Sequence, residues 1–237
     1  MHQYSLSTAW DISTASYDNL EFSVSSQEDN PRGLTFKPDG TKMFVIVGSR
    51  YIYEHTLSTP FDVSTATYIR NFDVYYTQGS DYSVAFEVAS DGSKFYTIDY
   101  DDDLIYQWSM TTPWDLSSVS NTGTYRISSH ITSGIDLVMT PDGKKVYVTG
   151  TESDKIIELV LTTPFDITTA YWTGVSLSIS SQTGEPRSLM LSSDGLKLYL
   201  KSNTTQLFEY SMSTAYDLNS ASYSSTIIIP PSIEYMS

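Results

Sequence analysis

Apolar residues fall in short alternating runs parted by turn residues. In one stretch "RGLTFK" (32–37), "KMFVIV" (42–47), "YIYEHTL" (51–57) and "YIRNFDVY" (68–75) follow one another closely. Period-two alternation over five to eight residues, rich in β-branched and aromatic side chains, predicts strands rather than helices. The third run recurs as "LIYQWSM", "KIIELVL" and "QLFEYSM", and in part as "HQYSL" near the N-terminus. Between the first and second runs stands a turn, written "KPDGTKMFVI", "ASDGSKFYTI", "TPDGKKVYVT" and "SSDGLKLYLK". Asp-Gly between apolar runs predicts a hairpin, with both turn positions at positive φ.

A second phrase joins the third run to the fourth. It reads "LSTAWDISTASY", "LSTPFDVSTATY", "MTTPWDLSSVS", "LTTPFDITTAYW" and "MSTAYDLNSASY". Its aspartates, Asp11, Asp62, Asp115, Asp166 and Asp217, stand 51, 53, 51 and 51 residues apart. A fixed period of this size marks a repeat architecture, and four short antiparallel strands per period match one blade of a β-propeller. The expected fold is therefore all-β, with residues 1–237 forming one propeller domain. In the corner phrase, Thr-Pro ends the third strand. The Asp is placed to form an Asx-turn with the backbone two residues on, and the aromatic to plug between blades. Five carboxylates awaiting a ligand is the sharper reading. A part present in every blade belongs more simply to the blade.

The stretch "PDGKKVYVTG" (141–150) resembles the YVTN-type β-propeller repeat. The longer unit, "SSQEDNPRGLTFKPDGTKMFV" with "YEHTLSTPFDVSTATY", resembles repeat proteins of about 51 residues per unit encoded by marine bacteria and phages. The resemblance spans the chain. It implies a propeller at a cell or virion surface and is nearly silent on activity, because propellers host many chemistries.

Complete strand sets begin near Arg32, Val84, Ile135 and Arg187. The N-terminus adds a third and fourth strand, and "PSIEYMS" (231–237) aligns with "RGLTFKP", setting Ile233 on Leu34 and Tyr235 on Phe36. The favoured expectation is a five-bladed ring whose fifth blade is shared between the termini and lacks its second strand. A fragment of a longer array and an assembly of chains completing one another are the alternatives.

Composition narrows the function. The formal net charge is −15, from 28 acidic against 13 basic residues, which repels phosphate backbones and predicts no nucleic-acid partner. No 18-residue apolar window exists, so no membrane span is expected, and "MHQYSLSTAW" does not read as a signal peptide. The absence of Cys excludes disulfides, thiolate metal sites and Cys nucleophiles.

Candidate chemistry gathers on loops leading into the inner strands. Counted back from the Asp-Gly turn, Gln27, Gln78, His130 and Gln182 fall at nearly the same place, predicting amide and imidazole groups around the channel mouth. Arg32 and Arg187 are equivalent, each following a Pro, and offer planar paired donors for carboxylate, sulfate or phosphate. Neighbouring acids, Glu28, Asp29, Asp81 and Glu185, would pair with them in the plainer reading. Tyr51, Tyr76, Tyr82 and Tyr100 add aromatic surface nearby. "DYDDDL" (99–104) makes Asp99, Asp101 and Asp103 a candidate Ca²⁺ set, although the spacing is not that of an EF-hand; a solvated acidic loop is the plainer alternative, and no other cofactor is expected. Inside the channel, Glu87 and, earlier in its strand, Asp136 could act as general acid or base if their pKa were shifted.

These features favour a non-enzymatic, lectin-like module that binds a surface carbohydrate or an exposed protein through its mouth loops, for adhesion or host recognition. It is expected outside the cell or on a virion, as a monomer or a strand-completing oligomer. The rival is a propeller-type hydrolase or lactonase with a channel metal held by Glu87, Asp136 and His130. A scaffold with no ligand is the third reading.

Overall fold

The computed structural model describes residues 1–27, 31–48, 50–75 and 83–228. The proposed C-terminal strand at 231–237 and Gln78 lie outside the described residues. The chain opens with a two-stranded sheet, β1 (His2–Leu6) and β2 (Ala15–Glu21). Four antiparallel sheets of four strands follow. Blade I holds β3 (Pro31–Phe36), β4 (Lys42–Val47), β5 (Tyr51–Leu57) and β6 (Ala66–Asp73). Blade II holds β7 (Glu87–Val88), β8 (Lys94–Asp99), β9 (Leu104–Met110) and β10 (Val119–Arg126). Blade III holds β11 (Gly134–Met139), β12 (Lys145–Gly150), β13 (Lys155–Leu161) and β14 (Ala170–Ser178). Blade IV holds β15 (Pro186–Leu191), β16 (Lys197–Ser202), β17 (Gln206–Met212) and β18 (Ala221–Ile228). Each sheet runs in chain order from inner to outer strand. The fold is a four-blade β-propeller. A complete fifth blade is not present among the described residues, where only β1 and β2 stand at that place.

The Asp-Gly turns differ from expectation. Only the glycine has positive φ, at 71, 72, 69 and 70° for Gly40, Gly92, Gly143 and Gly195. Each glycine amide donates to the carbonyl three residues back, as in Gly143 to Thr140 at 2.8 Å. The preceding aspartate accepts the amide two residues on, as Asp142 does from Lys144 at 3.1 Å. This is a type I turn closed by a left-handed glycine, stabilised by an Asx contact.

The corner phrase has two jobs. Its aspartate caps a single 3-10 turn, with Asp62 Oδ1 accepting from the Ser64 amide at 3.0 Å and its hydroxyl at 2.6 Å. The same cap forms at Asp11, Asp115, Asp166 and Asp217. The aromatic before it, Trp10, Phe61, Trp114, Phe165 or Tyr216, adopts φ between 56 and 62°. A left-handed non-glycine costs about 1–2 kcal/mol, and contacts on both sides hold it there. In blades I to IV its ring lies flat on the turn glycine, where a Cβ at Gly143 would stand 2.5 Å from Phe165. In every copy but Phe61 its carbonyl reaches donors across the blade boundary. Lys94 Nζ and Tyr96 Oη donate to the Phe165 carbonyl at 2.8 and 2.7 Å. Lys145 Nζ and Tyr147 Oη donate to the Tyr216 carbonyl at the same two distances, 2.8 and 2.7 Å. Lys42 donates to the Trp114 carbonyl at 2.7 Å.

Lys197 Nζ and Tyr199 Oη donate to the Trp10 carbonyl, which ties blade IV to the N-terminal sheet. On its other side, Gln3 Oε1 accepts the Val63 amide of blade I at 3.1 Å. The apolar core lies between sheets rather than within them. One cluster joins Phe44 and Ile46 of blade I to Phe95 and Trp108 of blade II, the last two rings stacked 5.6 Å apart. Others join blades II and III, III and IV, and the N-terminal sheet to blade I.

Candidate active site in the central channel

The inner strands β3, β7, β11 and β15, with the residues before β7, surround a cavity of about 100 Å³. That volume holds about three waters or one small functional group. It brings Arg32 and Arg187 together, as the repeat alignment predicted, and adds Glu87, Asp136 and Ser188.

A backbone irregularity aims the arginines. In β3, Pro31 pairs with Val47 and Gly33 with Ile46, so Arg32 is an extra residue in a β-bulge. Ile135 and Arg187 are the extra residues of β11 and β15. A bulge re-aims its side chain, which lets arginine and its neighbour line one cavity in a strand that otherwise alternates. Arg32 is half-buried. Arg187 is exposed and lies 3.7 Å from Glu185, itself open to solvent. An exposed pair at that distance contributes little and leaves the guanidinium available to a ligand.

The two carboxyl groups sit deeper, walled by protein yet facing the cavity. Asp136 Oδ2 accepts the Leu189 amide of blade IV at 2.7 Å. Glu87 Oε1 accepts the Met139 amide of blade III at 3.2 Å. Each therefore ties its inner strand to the next. Burial pushes Asp136 up to about 6, against the pull of the Leu189 amide and the Ser188 hydroxyl. Burial pushes Glu87 up to about 8, with the charge of Asp136 adding to the rise. Near neutral pH one is mostly ionised and the other mostly protonated.

The remaining predicted residues lie elsewhere. Gln27, His130 and Gln182 each follow an outer strand in a tight turn, their amides donating to the Val24, Ile127 and Ile179 carbonyls. Those three apolar residues are buried. His130 lies 4.6 Å from the Trp172 ring of β14, and Gln182 accepts from the Tyr210 hydroxyl of β17 at 3.2 Å. None of the three lines the cavity. Arg50 stands against Tyr51 and pairs with Asp73, and Tyr100 bonds Thr151. Tyr76, Tyr82, Glu28, Asp29 and Asp81 are outside the described residues.

In the acidic loop, Asp99 is buried and accepts the amides of Asp101 and Asp102 at 2.9 and 2.7 Å. Asp103 Oδ1 accepts the Gly134 amide of blade III at 3.2 Å. These carboxylates serve backbone donors, and among the described residues no three His, Asp or Glu side chains gather as a metal set. The donor set of the channel-metal reading does not form among the described residues either, since His130 packs on Trp172 and does not line the cavity with Glu87 and Asp136.

No protein-family model matches the chain. No curated protein matches it either. Solved structures do share the fold. A candidate 6-phosphogluconolactonase from Bacteroides fragilis superposes with a TM-score of 0.56 at 15% identity, over 84% of this chain and 55% of its own. A protein of unknown function from Desulfotomaculum acetoxidans gives 0.55 at 13% identity, over 92% and 61%. The periplasmic gluconolactonase of Pseudomonas aeruginosa gives 0.50 at 13% identity, over 84% and 54%. The chain thus spans 54–61% of the length of these three neighbours. The expectation of a non-enzymatic, lectin-like module for adhesion is corrected here. Some neighbours of this fold are named as lactonases, and the cavity is lined by Arg32, Arg187, Glu87 and Asp136 rather than by Gln27, His130 or Gln182.

Proposed function

We propose that the chain hydrolyses a lactone in its central channel. The observation that carries this reading is one cavity holding two carboxyl groups of separated protonation range together with two arginines. The names of the fold neighbours point the same way. Opening a cyclic ester needs a base for the attacking water, a donor for the tetrahedral oxyanion and an acid for the departing ring oxygen. Asp136, ionised at neutral pH, takes the proton from water. Arg32 or Arg187 faces the oxyanion and afterwards the product carboxylate. Glu87, protonated at neutral pH, gives its proton to the leaving alkoxide, and the reaction adds one water to yield the hydroxy acid. The cavity admits the carbonyl end and the water, while the rest of the substrate stays at the mouth.

Proton release from δ-gluconolactone and its 6-phosphate, corrected for spontaneous opening, tests this. The rate is expected to be bell-shaped, rising as Asp136 ionises near about 6 and falling as Glu87 ionises near about 8. Asp136→Asn should cost about 10²–10⁴-fold. Rates equal to the buffer blank, or an Asp136→Asn protein of full activity, would refute the proposal.

A further inference from the structure

At four boundaries of the ring the aromatic carbonyl of a corner is met by donors from the second strand of the blade before. Lys42 serves Trp114, Lys94 and Tyr96 serve Phe165, Lys145 and Tyr147 serve Tyr216, and Lys197 and Tyr199 serve Trp10. At the fifth boundary, where β1 and β2 adjoin blade I, half of the interface is kept. Gln3 accepts the Val63 amide just as Gln107 accepts that of Ile167 and Glu54 that of Leu116. The other half is open. The Phe61 carbonyl meets no donor among the described residues, and the Phe61 ring is 48% exposed where the equivalent Trp114 is 8% exposed.

The inner layer has the same gap. Leu34, six residues before its turn glycine, is 46% exposed, while the equivalent Phe86, Leu137 and Leu189 are 8, 3 and 6% exposed. Met190 of blade IV is 43% exposed, while the equivalent Val138 of blade III is 9% exposed. Among the described residues β1 pairs with β2 alone, so its inner edge is unpaired. These three features frame one slot, which among the described residues lacks a first and a second strand joined by a turn.

We propose that this slot binds a β-hairpin of the repeat's own type, supplied by a segment outside residues 1–237. The four occupied boundaries specify the guest. It has an Asp-Gly turn, then Lys two residues on and Tyr two further to serve the Phe61 carbonyl. It also has an apolar residue six before the glycine to cover Leu34 and Met190. The four Asp-Gly hairpins within residues 1–237 are all built into their own blades, so the guest is a further copy from outside these residues.

The test is titration of the full chain with a synthetic peptide of residues 132–150, followed by calorimetry and by hydrogen exchange of the β1 amides. One-to-one binding that slows exchange in His2–Leu6 is expected. A peptide with Lys145→Met and Tyr147→Phe should bind about tenfold or more weakly, because the carbonyl loses both donors. Absence of binding, or equal binding of the two peptides, overturns the proposal. Slow exchange in β1 that is present at every protein concentration before any peptide is added also overturns it, because residues 229–237 then fill the slot.

Discussion

The interface between blades III and IV allows a worked energetic test. Tyr147 Oη and Lys145 Nζ converge on one acceptor, the Tyr216 carbonyl, at 2.7 and 2.8 Å. Lys145 also pairs at 3.2 Å with Glu158, which is almost fully buried. Tyr147→Phe removes one hydrogen bond but leaves the carbonyl served by Lys145, so the loss should be about 1 kcal/mol. Lys145→Met leaves the carbonyl served by Tyr147 but strips Glu158 of its cation. A fully buried pair broken this way costs about 3–5 kcal/mol, and partial solvent access to the ammonium lowers the expectation to about 2 kcal/mol. The double variant additionally orphans the carbonyl, so its loss should exceed the sum of the two by about 1–2 kcal/mol. Urea unfolding of the four proteins gives the coupling directly. A double variant whose loss equals the sum of the single losses would refute the claim that the two donors share one acceptor.

Two further outcomes follow from buried groups. Gly143→Ala places a methyl 2.5 Å from the Phe165 ring at φ 69°, whereas Gly174→Ala meets strain at φ 93° with nothing within 4 Å. The first should lower stability by about 2 kcal/mol or more and the second by about 1 kcal/mol, and equal losses in thermal unfolding would show that the ring does not rest on the glycine. His55 is fully buried, with Phe22 at 5.2 Å and Tyr68 at 5.9 Å, and burial lowers its pKa from 6.5 despite the opposing pull of the Tyr53 backbone and Glu54. The unfolded chain therefore takes up the proton first, and stability is lost as pH falls from 6.5 toward the lowered native value. Melting temperatures at pH 7 and pH 5 should diverge less in His55→Leu than in the native chain, and an unchanged difference would exclude His55 as the cause.

Blade boundaries, strand order and the capping Asp of each corner were readable in the sequence, because they depend on local alternation and turn chemistry repeated in every copy. The equivalence of Arg32 and Arg187 was readable for the same reason. What aims them at the cavity was not, because a bulge adds one residue without disturbing the repeat length. Counting from the Asp-Gly turn does not reveal that Gln27, His130 and Gln182 stay out of the cavity lining. Each stands in a turn closed on the carbonyl of a buried apolar residue, Val24, Ile127 or Ile179, and position along the chain does not give where such a turn sits in the ring. Glu87 and Asp136 were visible as channel residues, yet their protonation depends on burial by three different blades, which no local pattern records. The positive φ of Trp10, Phe61, Trp114, Phe165 and Tyr216 had no propensity signal, since aromatics disfavour that region.

Each blade presents its predecessor with main-chain atoms. The corner carbonyl that meets a donor across the boundary belongs to Trp in two copies, Phe in one and Tyr in one. Its acceptor strength is independent of the side chain, so the aromatic can drift while the joint persists. A blade duplicated within the gene therefore arrives with both halves of its joint already encoded. Ring size can change by recombination without compensating substitutions, and the inner-strand positions of each copy are left free to acquire their own chemistry.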